Sequence, residues 1–148
     1  MIIYKLTGFT LLLMSIVNVA LAEVCANNFD TAVDTHTSAL ENRDLDTFIA
    51  TIAPRSEQMM ILPNGSYFKS LGEISDWHKE WFADTSWSFN KSLVRKDKRP
   101  TWGLVVYQVT VDRPDKPGSP FLLSMLFAPE ENGCWYLQHD QNTLIAPQ

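Results

Sequence analysis

His36, His139 and Asp140 are the side chains best suited to moving a proton near neutral pH or holding a polar ligand group. His36 follows Phe29 and Val33 and precedes Leu40 at helical spacing, so it falls on an apolar stripe and faces inward. Two roles fit that position: a pocket acid/base or ligand donor, and a core histidine satisfied by a backbone or carboxylate partner. His139 and Asp140 are neighbours in a strand pattern and must point to opposite faces. Trp135, Leu137, His139 and Gln141 share the face with more apolar bulk. That face is expected inward, which leaves Asp140 as the weaker candidate. Trp77, His78, Trp81 and Phe82 form either a ligand-stacking wall or the core contact of a helix. A metal site would need His36, His78 and His139 together. No metal-ligand spacing joins them, so no metal is expected, and no cofactor either. Nucleophile-elbow, phosphate-loop and dinucleotide motifs are absent from the sequence.

The elements that must position these residues alternate in a clear order. Residues 27–42 read as a helix. Asp44 caps a second, short helix carrying Leu45, Phe48, Ile49 and Ile52, which Pro54 stops. Met59–Leu62 reads as a strand, Pro63-Asn64-Gly65-Ser66 as a turn, and Tyr67-Phe68 as the return. Asn64-Gly65-Ser66 also matches a glycosylation sequon, which the turn explains without glycosylation. Ser70 and Glu73 form a capping box ahead of an aromatic helix ending near Asp84. Beyond it the pattern predicts four long strands: one through Trp87, Phe89 and Leu93, then 102–111, 121–128 and 134–143. Helices come early and strands late, which predicts an α+β domain with a strongly bent antiparallel sheet wrapped around three helices.

Residues 1–22 read as a cleavable signal peptide. Lys5 precedes a short apolar run, and Ala20-Leu21-Ala22 offers small residues at the cleavage positions. The run is short for a membrane span. Residues 23–148 are then a single exported domain, periplasmic or secreted, with no membrane attachment after cleavage. The chain carries 12 basic and 17 acidic residues for a net charge of −5, the wrong sign for a nucleic-acid partner. Lys96, Lys98 and Arg99 before Pro100 read as a solvated hairpin tip. Cys25 and Cys134, an even pair behind an export signal, predict a disulfide; two separately buried thiols are the alternative.

The element order resembles the NTF2-like superfamily, specifically its SnoaL-like or DUF4440-type branch. Ala39-Leu40-Glu41-Asn42-Arg43-Asp44-Leu45-Asp46 is similar to that branch's helix-to-helix join. Leu62-Pro63-Asn64-Gly65 with the capped helix after it is similar to its hairpin and third helix. Trp135-Tyr136-Leu137-Gln138-His139-Asp140-Gln141-Asn142-Thr143 resembles its last strand, with Gln141 standing where a second histidine is common and Thr143 where serine is. The resemblance implies a cone-shaped fold with an apolar cavity, often dimeric, whose members include isomerases, cyclases, dehydratases and binding proteins. The expected function is therefore binding of a small, largely apolar molecule, with His36, Trp77, Trp81, His139 and Gln141 at the ligand. The alternatives are an acid–base enzyme using His36 with His139 or Asp140, and a homodimeric interaction module. The final expectation is geometric: His36 lines an interior cavity with aromatics of the third helix and a polar residue of the last strand.

Overall fold

A computed structural model describes residues 24–55 and 57–146; the signal-peptide assignment lies outside them. Helix α1 spans Phe29–Asn42, its start fixed by the Asn28 side chain accepting from the Thr31 amide. It ends at Arg43, which adopts a left-handed φ of 57°. The stripe Phe29, Val33, His36 and Leu40 is buried as its spacing predicts. Asp44 caps α2, Leu45–Ala50. Ser70 caps α3, Leu71–Ala83, by accepting from the Glu73 amide, while the Glu73 carboxylate reaches back to the amide of Lys69.

Six strands form one sheet in the order β2-β1-β6-β5-β4-β3. They are β1 Glu57–Ile61, β2 Tyr67–Ser70, β3 Ser88–Lys98, β4 Gly103–Asp112, β5 Phe121–Pro129 and β6 Trp135–Leu144. The α+β class is as expected. The all-antiparallel sheet is corrected in one place, because β1 runs parallel to β6, with Met60 opposite Asp140 and Ile61 opposite Gln141. The chain covers the sheet between these two strands before it returns, so β1 and β6 meet without a hairpin. Every other strand pair is antiparallel.

The inner face of β4 and β5 is the core: Val105, Tyr107 and Val109 on one strand, Phe121, Leu123, Met125 and Phe127 on the other. Phe29 meets Phe127 and Trp135 at one end, with ring centroids 6.0 and 5.9 Å away. Gly103 leaves room for the Phe29 ring there; a methyl group at that position would overlap it. The Cys25–Cys134 disulfide closes the same end with a Cα separation of 5.0 Å, and Ala26 bridges to Trp135 beside it. Along β3, three lysines pair with acidic residues of α1. Lys96 and Lys98 reach Asp30 at 2.5 and 3.0 Å, and Lys91 pairs with Glu41. Two members of the basic cluster thus hold a helix to an edge strand, and only the tip beyond them is the solvated turn the sequence suggests.

Besides a shift between Glu57 and Met60 in β1, two register shifts in the long strands decide which residues face inward. Leu93 of β3 pairs with Tyr107 and Arg95 with Val106, leaving Val94 as an extra residue. On β6, Leu126 pairs with His139 but Phe127 with Leu137, so Gln138 is extra. The second bulge reverses the side-chain alternation of the last strand midway along it.

Candidate cavity at the open end of the cone

Gln138 is the residue that builds the site. Before it, Trp135 and Leu137 face the core; after it, Asp140, Asn142 and Leu144 do, opposite Met125, Leu123 and Phe121. His139 and Gln141 pair with Leu126 and Ser124 on the outer side. The expected inward face is therefore corrected: it holds for Trp135 and Leu137 and inverts for His139 and Gln141. Period-two alternation assumes an unbroken ladder, and the extra residue breaks it.

The inward residues beyond the bulge line a cavity of about 270 Å³. Its walls are apolar: Leu40, Phe48, Met60, Phe89, Val111, Phe121 and Leu123, with Trp77, His78 and Trp81 from α3. Leu62 and Pro63 of the β1–β2 turn and Gly118 and Ser119 of the β4–β5 loop complete the lining. Gly118 is held down by its amide, which donates to Asp112 Oδ1 at 2.7 Å. A side chain there would strike the Val111 backbone.

Asp140 is 4% exposed and lies in this wall. Burial raises its pKa to about 7, with a hydrogen bond from Asn142 pulling the other way. Asn142 Nδ2 donates to Asp140 Oδ1 at 2.7 Å and to the Ile61 carbonyl at 2.8 Å, so the neighbouring strand fixes the amide's orientation. His78 donates from Nδ1 to the Ile74 carbonyl at 2.7 Å, one turn back on α3. Its neutral Nε2 is then an acceptor. Burial lowers the pKa of His78 to about 4, against the opposing effect of the Ile74 bond.

His36 is not part of this lining, contrary to the expectation. It is fully buried behind Phe48, whose ring lies between the two histidines at 4.6 Å from His36 and 4.4 Å from His78. Thr51 Oγ1 donates to the Phe48 carbonyl at 2.6 Å and accepts from His36 Nδ1 at 2.7 Å. His36 Nε2 is left buried without a partner. Its pKa falls to about 3, first through burial and then through repulsion from His78. The core role is the one its surroundings match. Among the described residues no group of three or more His, Cys, Asp or Glu side chains is placed to hold a metal ion.

Sequence reasoning placed Trp77 and Trp81 on the right wall. It did not single out His78 as the inward polar group of α3, nor Asn142. The signal for His78 was its four-residue spacing from Ile74, which lets a ring nitrogen reach a helix carbonyl. The aromatic wall is braced from behind. Trp81 stacks on Trp87 at 4.4 Å and 12°, and Arg43 lies over the other face of Trp87 at 3.9 Å. A broader depression of about 660 Å³ lies between α2, the start of α3 and Tyr136, with Leu45, Ile49, Ile52 and Pro54 in its lining. Its acidic member, Asp46, is exposed, so it lacks the confined polar group that distinguishes the first cavity.

No protein-family model matches the chain, and no curated protein matches it in sequence. Solved structures match it in shape. One is a protein of Thiobacillus denitrificans provisionally assigned as a calcium/calmodulin-dependent protein kinase type II association domain. It superimposes with a TM-score of 0.72 at 14% identity, over 82% of this chain and 98% of that one. An NTF2-like protein of unknown function from Shewanella oneidensis gives 0.64 at 14%, over 77% and 94%. A ketosteroid isomerase-like protein from Erwinia carotovora gives 0.61 at 14%, over 80% and 94%. The fold is that of the NTF2-like proteins.

Proposed function

We propose that this protein is exported and holds a small, largely apolar molecule in the cavity at the open end of its cone. The observation that carries this reading is an apolar chamber of about 270 Å³ with one buried carboxyl in its wall. Ligand sites of this kind are concave, mostly apolar and marked by a few placed polar groups. The volume is slightly below the common range of roughly 300–1,000 Å³, so the occupant is small. Trp77 and Trp81 supply contact surface; Asp140, Asn142 and His78 orient the polar end. The test is native mass spectrometry of the protein purified from its own host. A bound small molecule should be present in the wild type and absent from Leu123→Trp, which fills the chamber. An empty wild type, or equal occupancy in both, overturns the reading.

A second reading has its own observation. A carboxyl held near neutrality can give or take a proton at working pH, and His78 offers a neutral acceptor in the same chamber. Asp140 with His78 would then perform acid–base chemistry on the bound molecule, in place of the pairing of His36 with His139 or Asp140. The likeness in shape to a protein named for ketosteroid isomerase is in keeping with this. Asp140→Asn should then abolish turnover and keep binding.

The outer face of the sheet supports a homodimer as the form in which the protein works. Leu104, Val106, Leu122 and Leu126 are only half-buried there. Light scattering should give twice the monomer mass, and Val106→Lys should return the monomer.

A further inference from the structure

His78, Asp140 and Asn142, the polar side chains that α3 and β6 bring to the cavity, offer it acceptors. His78 Nδ1 carries the proton given to Ile74, so the free Nε2 accepts. Both amide hydrogens of Asn142 are committed, to Ile61 and to Asp140, so its Oδ1 accepts. Asp140 Oδ1 takes one of those hydrogens, and Oδ2 has no protein partner among the described residues. Neither Oδ2 nor His78 Nε2 is among the buried atoms sealed off without a partner. With Asp140 ionised, three acceptors thus line one chamber, and among the described residues no lysine or arginine lines it. The carboxyl is removed from water with no cation to balance it. Trp77 and Trp81, with ring centroids 5.2 Å apart, line the chamber with these acceptors.

An ammonium group answers each of these features. It has three donors and no acceptor. Its charge balances the carboxylate, and aromatic faces attract it. An anion would meet an uncompensated carboxyl and no positive group. A neutral alcohol would bring one donor to three acceptors and no charge.

Resting on the reading of the cavity as a ligand site, we infer that its occupant is a small amphiphilic amine, its protonated nitrogen against Asp140, His78 and Asn142 and its apolar body against Phe89, Phe121 and Leu123. The amine enters as the ammonium ion. Where Asp140 is protonated beforehand, its proton leaves to solvent as the ion pair forms, so one proton is released and the complex carries no net charge at the pair.

Three probes of similar size separate the possibilities by isothermal titration calorimetry: phenethylamine, phenethyl alcohol and hydrocinnamate. Phenethylamine should bind at least about tenfold more tightly than the alcohol, the scale of one desolvated charge or cation–π contact. Hydrocinnamate should not bind detectably. Asp140→Asn should bring the amine down to the affinity of the alcohol. Should that variant not fold, Trp77→Leu serves in its place by narrowing the gap between amine and alcohol. Equal binding of amine and alcohol, or an amine preference untouched in the folded variant, overturns the amine and leaves the cavity reading standing. Failure of all three probes to bind at millimolar concentration overturns both.

Discussion

The two buried histidines stand on opposite faces of one phenylalanine, and the comparison between them divides the molecule. On the closed side of Phe48, His36 is walled in by Phe127 and Phe48 and bonded to Thr51, beneath the end that the disulfide, Phe29 and Trp135 shut. On the open side, His78 is nearly as buried, yet its second nitrogen is not sealed in and its ring lines a chamber with Asp140. Residue type and burial do not separate the two. What separates them is what lies past the free nitrogen: packed side chains in one case, space in the other. The closed end should carry stability, and the open end should carry selectivity at little cost to stability.

The largest effect expected from breaking this division is that of Phe48→Ala. Removing a fully buried ring should cost ~3–5 kcal/mol in urea unfolding and merge the His36 site with the chamber. A loss under about 1 kcal/mol would mean that Phe48 is no partition. Next comes the double change Cys25→Ser with Cys134→Ser. The bond spans a sequence separation of 109, and its loss should cost ~2–4 kcal/mol while leaving ligand binding at the open end in place. Binding lost in step with stability would show that the two ends are not independent.

The pH dependence of stability sharpens the comparison, because the two ends pull in opposite directions. His36 and His78 have folded pKa values of about 3 and about 4 against an ordinary 6.5, so between those limits the unfolded chain binds more protons and stability falls as pH falls. Asp140 is raised from 3.8 to about 7, so the folded chain binds the extra proton in that window and stability falls as pH rises through it. Between pH 4 and 6.5 two histidines outweigh one carboxyl. From these three groups alone, stability should rise with pH up to 6.5 and then dip slightly toward 7. Thermal unfolding across pH 4–8 reads this directly; a maximum at pH 5 or below would contradict it. Smallest of all, Asp140→Asn should erase the dip above pH 6.5 and steepen the slope beneath it, as seen in the same unfolding series.

Local signals made the helices legible in the sequence. Phe29, Val33, His36 and Leu40 keep helical spacing because α1 has one neighbour surface throughout. The Asn28, Asp44 and Ser70 caps are satisfied within three residues of themselves. The cysteine pairing was legible too, from an even count behind an expected export signal. The polar half of the chamber was not, because it depends on a bulge. Nothing at Gln138 marks it as the extra residue; its pairing with β5 does, where Leu126 meets His139 and Phe127 meets Leu137. One residue of slip moved His139 and Gln141 outward and brought in Asp140 and Asn142. His36 lay on the stripe as predicted, but the sequence could not say that Phe48 would stand between it and the chamber.

The position of β6 in the sheet has a consequence for how the chain assembles. It is the last of the six strands in chain order, yet it lies between β1 and β5, in the middle of the sheet. Until it arrives, the earlier strands form two separate pieces, the hairpin β1–β2 and the three-stranded unit β3–β4–β5. The chamber has no floor, because Asp140 and Asn142 arrive with β6. Its docking also seats Cys134 beside Cys25. Contacts of such long sequence separation form slowly, so the oxidation state of Cys25 in a pulse-labelled refolding chain should report the moment when the two pieces become one sheet.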